Sequence, residues 1–404
     1  MLCKEQNPEK MSTYSMPITF LSVYAEATKA EIIISLCFFL SFLFSAFVLP
    51  RIIIISKRKA LYDDPDARKS HIGAIPRLGG LVFIPSILIS LSFSTAIRFL
   101  LDFPANDKLT GYTLLELLLL AAGSLFLYFV GVKDDLIGVR YRKKFIAQFL
   151  VASLFPMSGL YINNLYGMFG IYEVPAMIGI PFTIVMIVFI TNAVNLIDGI
   201  DGLAAGGALV CFITFGTLYL LREEWIYSML AFAVVGCLLP FMYYNIFGSV
   251  ERGTKLFMGD SGSLSLGYLL SFFAVKYTMF VPNEGMDIRC AIIPLSLLFV
   301  PVFDALRVMV VRVYHKHPVF LADRNHIHHK CLAAGFTHLQ STVMLVSYTV
   351  VTLFVNLGLG ELVDLNIILI INILLAVLIN HLLDVRIKHK EDAKAISFSN
   401  STGL

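Results

Sequence analysis

The chain has 404 residues, of which 58% are hydrophobic and only 15% charged, with a formal net charge of +3. Its mean hydropathy of +0.81 lies well outside the range of a soluble domain. A charge so close to balance excludes nucleic acid as a partner, and six scattered cysteines without a C-x-x-C pair suggest neither a disulfide framework nor a zinc site.

Apolar windows of about 20 residues, the length that crosses a ~30 Å hydrocarbon core as helix, recur along the whole chain. They cover 31–56, 78–101, 112–132, 144–163, 177–196, 202–221, 226–247, 263–281, 290–312, 341–359 and 366–384. The fold class they predict is all-α integral membrane, a polytopic bundle of about eleven transmembrane helices. A single membrane domain, 31–384, is expected between an extracytoplasmic tail, 1–30, and a cytoplasmic tail, 385–404. Residues 1–30 lack a basic start followed at once by an apolar core, so the first span is expected to act as the insertion signal.

Positive charge sets the expected orientation, because Lys and Arg of short loops collect on the cytoplasmic side. With the N-terminus outside and the C-terminus inside, the inner loops and tail hold 21 of the 31 Lys and Arg, the outer segments six, and the spans four. Under this topology five polar islands all lie on the cytoplasmic face, whereas the outer loops are plain.

The first island, "DDPDARKSHIGAIPRLGG" at 63–80, gathers Arg68, Lys69, His71 and Arg77 beside a glycine pair that permits close approach of a headgroup or backbone. In the second, "GVKDDLIGVRYRKKFIAQ" at 131–148, adjacent Asp134 and Asp135 repel each other unless a cation is near. Lys133 is one candidate partner. Lys144 and Gln148, four apart, share a helical face directed at the same loop.

The third island is "NAVNLIDGIDGLAAG" at 192–206. Gly199 reads as the C-cap of one span and Asp201 as the N-cap of the next. Capping leaves Asp198, Asn192 and Asn195 unexplained, and the spacing of three puts Asn195 and Asp198 on one helical face. The fourth, "KLFMGDSGSLSLG" at 255–267, sets Asp260 and Ser261 in a glycine turn at a helix N-terminus, a phosphate cradle with an acid suited to Mg²⁺.

The fifth runs "FDALRVMVVRVYHKHPVFLADRNHIHHK", residues 303–330. Asp304 lies about 12 Å of helix from Arg312 and either pairs with Arg307 at i+3 or lines a cavity. Arg324, His326, His328 and His329 form a basic cluster with no accompanying thiolates and no i, i+4 histidine pair, which suits phosphate oxygens better than zinc. Together the islands point to Mg²⁺ held between aspartates and a multiply charged phosphate substrate, without P-loop or kinase signatures.

The runs "DDPDARKSHIGAIPRLGG", "KDDLIG", "NAVNLIDGIDGLAAG", "FMGDSGS" and "DRNHIHH" resemble, in order, those of the polyprenyl-phosphate N-acetylhexosamine-1-phosphate transferases, glycosyltransferase family 4. The resemblance implies transfer of a sugar-1-phosphate from a UDP-N-acetylhexosamine to undecaprenyl phosphate with release of UMP. It also implies dependence on Mg²⁺, or Mn²⁺ in its place, and a cytoplasmic active site in the bacterial inner membrane. By the same resemblance Asp134, Asp135, Asp198 and Asp201 are the catalytic acids. Asp260, with Asp198, is the metal-binding group, and Arg68, Lys69, His71, Lys144, Asn192, Asn195, Ser261, Arg324, His326, His328 and His329 are expected to bind substrate.

Whether the chain forms a homodimer is left open. The run "HIHHK" departs from the three consecutive histidines of the muramoyl-pentapeptide-phosphate transferases and favours the branch that uses UDP-N-acetylglucosamine to begin a surface polysaccharide. A second departure, "NIFGSVERGTKLFMGD", alters the loop before Asp260. The rival of another class is a secondary transporter of an anionic solute, lined by Asp304, Arg98 and Lys276.

Overall fold

The computed structural model describes residues 18–61, 75–101, 111–279, 286–318 and 325–402, with side chains for those between 29 and 393. Among them the chain is all-helical apart from one isolated antiparallel bridge, Asn164 to Glu173. Among the described residues nine helices are long and apolar enough to cross a membrane. These are α1 (Ile18–Arg58), α2 (Phe83–Leu100), α3 (Gly111–Ile137), α6 (Ala176–Ile197), α7 (Leu203–Leu221), α8 (Trp225–Phe247), α10 (Arg289–Tyr314), α12 (His338–Leu359) and α13 (Leu365–Thr402). The others are α4 (Tyr141–Ala152), α5 (Leu154–Met157), α9 (Gly259–Thr278) and α11 (Ile327–Ala333).

Two of the expected spans take a different form. The window 144–163 is broken: α4 stops at Ala152, the residue whose carbonyl the ring of Pro156 opposes from four positions on. Residues 158–163 then run as irregular chain, pinned where the Thr183 hydroxyl accepts the Ile162 N–H at 2.8 Å. Helix α9 has the length to cross but is diluted by serines and glycines, because its neighbours are helices rather than lipid. Tyr268, Phe272 and Phe273 on it are fully buried, and Ser263, Ser265 and Ser271 donate their hydroxyls to carbonyls four residues back. The close approach of α3 to its N-terminus depends on Gly131, where a Cβ would lie 2.4 Å from Ser261 Cα.

Contacts sort the bundle into two ends. Just after α5, the Tyr166 hydroxyl donates to the carbonyl of Thr278 at the end of α9, and Asn366 at the start of α13 binds Gly167 and Phe169. At the same far end Lys276 lies 3.0 Å from Glu116, which also accepts the Tyr227 hydroxyl, and the Arg222 guanidinium sits 4.2 Å from the Tyr277 ring. At the opposite end meet the C-terminal ends of α3, α6, α8 and α10 and the first turns of α4, α7, α9 and α12. All the polar islands among the described residues fall there.

Helix α1 begins upstream of residue 30 and α13 continues past residue 385. The three groups of the transporter alternative do not sit together. Asp304 belongs to the island end, bound to His326, while Lys276 is held by Glu116 and Arg98 stacks 5.8 Å from the Trp225 ring at the far end.

Candidate active site

Asp134 closes the last turns of α3, and the chain reverses through Gly138, which adopts a positive φ of 73°. That turn brings Lys144, one turn into α4, back over the end of α3. Its ammonium nitrogen lies 3.0 Å from Asp134 Oδ2 and 2.6 Å from Asp260 Oδ2, so one cation bridges two acids from different helices. Lys144 therefore takes the role open to Lys133 in the sequence. The other oxygen of Asp260 accepts Asn195 Nδ2 at 3.2 Å, and the same amide nitrogen donates to Ser263 Oγ at 2.8 Å.

Asp135 does different work from its neighbour. Its two oxygens accept the backbone N–H groups of Asp260 at 2.7 Å and Ser261 at 3.0 Å. It caps α9 from another helix, and no side chain of α9 itself does so. Ser261 enters the site through its N–H. Asn192, one turn deeper than Asn195, is taken up in a reciprocal amide pair with Gln148 and does not reach the acids.

The third island separates into two sites. Asp198 is itself the C-cap of α6 and stands beside the acids of the first cluster. Burial and then the negative charge of Asp260 push its carboxyl well above the usual carboxylate value, while Arg77 acts in the other direction. Gly199 is not a left-handed cap but a point of contact, since a Cβ there would lie 2.1 Å from His328 Nε2.

Asp201 does not cap α7, whose N-cap is Gly202 without a side-chain bond. Instead it binds Lys255 Nζ at 2.8 Å and lies 3.3 Å from His338 Nδ1, and its carbonyl accepts the Thr342 hydroxyl. Burial works against its charge, but His338 and Lys255 outweigh it and hold the carboxyl below its ordinary value. Asn245 ties this corner together, accepting the Gly202 N–H and donating to the Leu256 carbonyl.

In the fifth island Asp304 is a clamp. It accepts His326 Nδ1 at 2.8 Å, the Ile327 N–H at 3.0 Å and Arg307 at 2.8 Å. The rings of His326 and His328 stack 5.8 Å apart, and His329 lies 4.2 Å from His328. Burial, followed by the two neighbouring imidazoles, pushes the His328 pKa down to about 3, so this ring is neutral at pH 7. Arg68, Lys69, His71 and Arg324 lie outside the described residues.

Lys255, Asn245, His338 and the Asp304–His326 pair are site components that the motifs alone did not assign. Lys255 was visible in "KLFMGD", but its partner Asp201 is 54 residues away. No three acid, histidine or cysteine side chains among the described residues converge as a complete metal cage. The donor set nonetheless suits Mg²⁺, which binds through one or two carboxylates and completes its shell with water and phosphate oxygens. The observation that supports the fit is the repulsion between Asp198 and Asp260, two acids from different helices that a cation between them would relieve.

Residues 117–278, which include α6, α7, α8, α9 and the acids from Asp134 to Asp260, match the profile of glycosyl transferase family 4. A probable undecaprenyl-phosphate N-acetylglucosaminyl 1-phosphate transferase of Bacillus subtilis (strain 168) is 29% identical over 320 residues, 77% of this chain and 81% of its own length. An undecaprenyl-phosphate alpha-N-acetylglucosaminyl 1-phosphate transferase of Yersinia pestis is 30% identical over 322 residues, 78% of this chain and 80% of its own. The enzyme of the same name from Escherichia coli (strain K12) is 29% identical over 293 residues, 72% and 74% of the two chains. With the acids of four islands gathered at one end of a membrane bundle and relatives aligned over most of its length, the chain belongs to glycosyl transferase family 4.

Proposed function

We propose that the chain transfers N-acetylglucosamine-1-phosphate from UDP-N-acetylglucosamine to undecaprenyl phosphate, releasing UMP, as the first membrane step of a cell-surface polysaccharide. The reading is supported by the relatives, which are named for transfer of N-acetylglucosaminyl 1-phosphate and for undecaprenyl phosphate. The site end faces the cytoplasm of a bacterial inner membrane, a reading supported by the 21 Lys and Arg assigned to that side. The observation that carries the proposal is the meeting of Asp134, Lys144, Asp260 and Asn195 at one end of the bundle. Close by, an apolar cleft lined by Val194, Ile197, Leu203, Ala208, Leu297 and Val346 starts one residue from Asp198.

In the reaction an oxygen of the lipid phosphate attacks the sugar-bearing phosphorus, and the bond from that phosphorus to UMP breaks in line. A phosphate monoester has its second pKa near ~6, so the nucleophile is already a dianion at neutral pH. Asp134 therefore orients Lys144 rather than removing a proton. Lys144 and Arg77 spread the charge that develops on the transferred group. Asp260 and Asp198 would hold Mg²⁺, which when bound neutralises the diphosphate. His326, fixed by Asp304, and His329 present ring nitrogens to the phosphate oxygens.

The test uses purified protein, Mg²⁺, labelled UDP-N-acetylglucosamine and undecaprenyl phosphate. UMP and a lipid-linked diphosphate sugar are expected, and chelation of the metal is expected to stop their formation. Absence of UMP release across a panel of UDP-N-acetylhexosamines would overturn the proposal.

A further inference from the structure

Helix α11 has only seven residues, too few to hold its own conformation, yet it carries His328 and His329 and follows directly on His326. Its N-terminal end is fixed by Asp304, which accepts the Ile327 N–H. Its C-terminal end is fixed by α13, whose contacting residues lie 52 to 54 positions further along the chain. Leu383 and Ile387 of α13, four apart, seat one face of that helix on the protein. The polar residues between and beyond them reach α11.

Asp384 lies 2.8 Å from Lys330 Nζ, and Arg386 Nε donates to the carbonyl of Ala334 at 3.1 Å while its guanidinium lies 4.3 Å from the Phe336 ring. Ala334 is the C-cap of α11, so Arg386 meets an orphan carbonyl at the negative end of that helix. Gly335, at φ 96°, turns the chain there, and a Cβ on it would lie 2.7 Å from Lys390 Nζ.

We infer that the C-terminal part of α13 is a brace that positions the histidine helix, with Arg386 and Asp384 as positioning residues for the phosphate-binding histidines. The role of the histidines rests on the proposed sugar-phosphate transfer; the brace itself does not. Losing Arg386 releases the end of α11 remote from Asp304, so the histidines stay attached but lose their fixed aim. Donor binding is then weakened more than acceptor binding or turnover.

The experiment compares the full-length protein with Arg386→Ala, Arg386→Lys, Asp384→Lys, Lys330→Asp and the Lys330→Asp/Asp384→Lys double variant, all in nanodiscs. Hydrogen exchange is expected to rise about tenfold over residues 326–336 in Arg386→Ala, with residues 259–270 unchanged. The donor KM is expected to rise about fivefold at constant acceptor KM and nearly constant kcat. Arg386→Lys should recover most of this, and the charge-swapped double variant should exchange more slowly over 326–336 than either single.

Unchanged exchange over 326–336 in Arg386→Ala would overturn the brace, as would an equal rise throughout the protein or a double variant no better than the singles. If the wild-type protein releases no UMP, the functional proposal fails while the exchange data still decide the brace.

Discussion

Asp135 on α3 holds the backbone of Asp260 on α9 through the N–H of Asp260 at 2.7 Å, so one acid of the site fixes the position of another. Both of its oxygens are used, the second by the Ser261 N–H. Asp135→Ala removes two charge-assisted bonds and is expected to cost about 1.5–3 kcal/mol of stability. Asp135→Asn keeps one acceptor and should recover part of the loss. Thermal unfolding of the three proteins checks this, and equal midpoints for wild type and Asp135→Ala would contradict it.

Lys144 is the cation between Asp134 and Asp260, with none of the three side chains more than 24% exposed. Lys144→Met leaves two acids facing each other without a counter-charge and removes a donor from the reacting phosphate. UMP release is expected to fall about 100-fold in kcat/KM. Lys144→Arg keeps the charge and should be the milder change. A Lys144→Met enzyme within threefold of wild type would remove Lys144 from the reaction.

Asp134 orients Lys144 and accepts the Val139 N–H, and the attacking phosphate is already a dianion. Asp134→Asn is therefore expected to lower kcat by a similar factor at every pH between about 6 and 9. A loss that is steep below pH 6 and fully relieved above pH 8 would instead identify Asp134 as the general base. A phosphorylated enzyme trapped with the UDP-sugar alone would point to a covalent route.

His328 is buried and neutral, with its pKa pushed down to about 3, whereas an unfolded histidine titrates near ~6.5. Between those values the unfolded chain binds the extra proton, so stability is constant at neutral pH and falls as the medium is acidified below about pH 6.5. The slope approaches about 1.4 kcal/mol per pH unit for this one group. His328→Gln is expected to flatten the decline of the unfolding midpoint between pH 6.5 and 5. Parallel declines would place the acid sensitivity elsewhere.

The sequence was most informative where period and punctuation are local. Apolar runs located the long helices, and the five islands marked the end of the bundle where the acids meet. It was least informative where the environment of a residue is set by remote chain. Helix α9 is rich in serine and glycine because protein surrounds it, and Pro156 acts by breaking a helix at a residue four positions back. The adjacency of Asp134 and Asp135 suggested a shared role, but successive residues of a helix point about 100° apart, and one reaches Lys144 while the other reaches the α9 backbone. Asp201 likewise looked like a helix cap until Lys255 and His338 came to it from distant segments.

The Glu116–Lys276–Tyr227 cluster ties α3, α9 and α8 at the end away from the acids, and Arg222 secures α7 there against Tyr277. These helices are bolted to one another on that side. A tie at that end fixes the register between α3 and α9, and with it the positions that Asp134 and Asp135 on one helix and Asp260 on the other take at the opposite end.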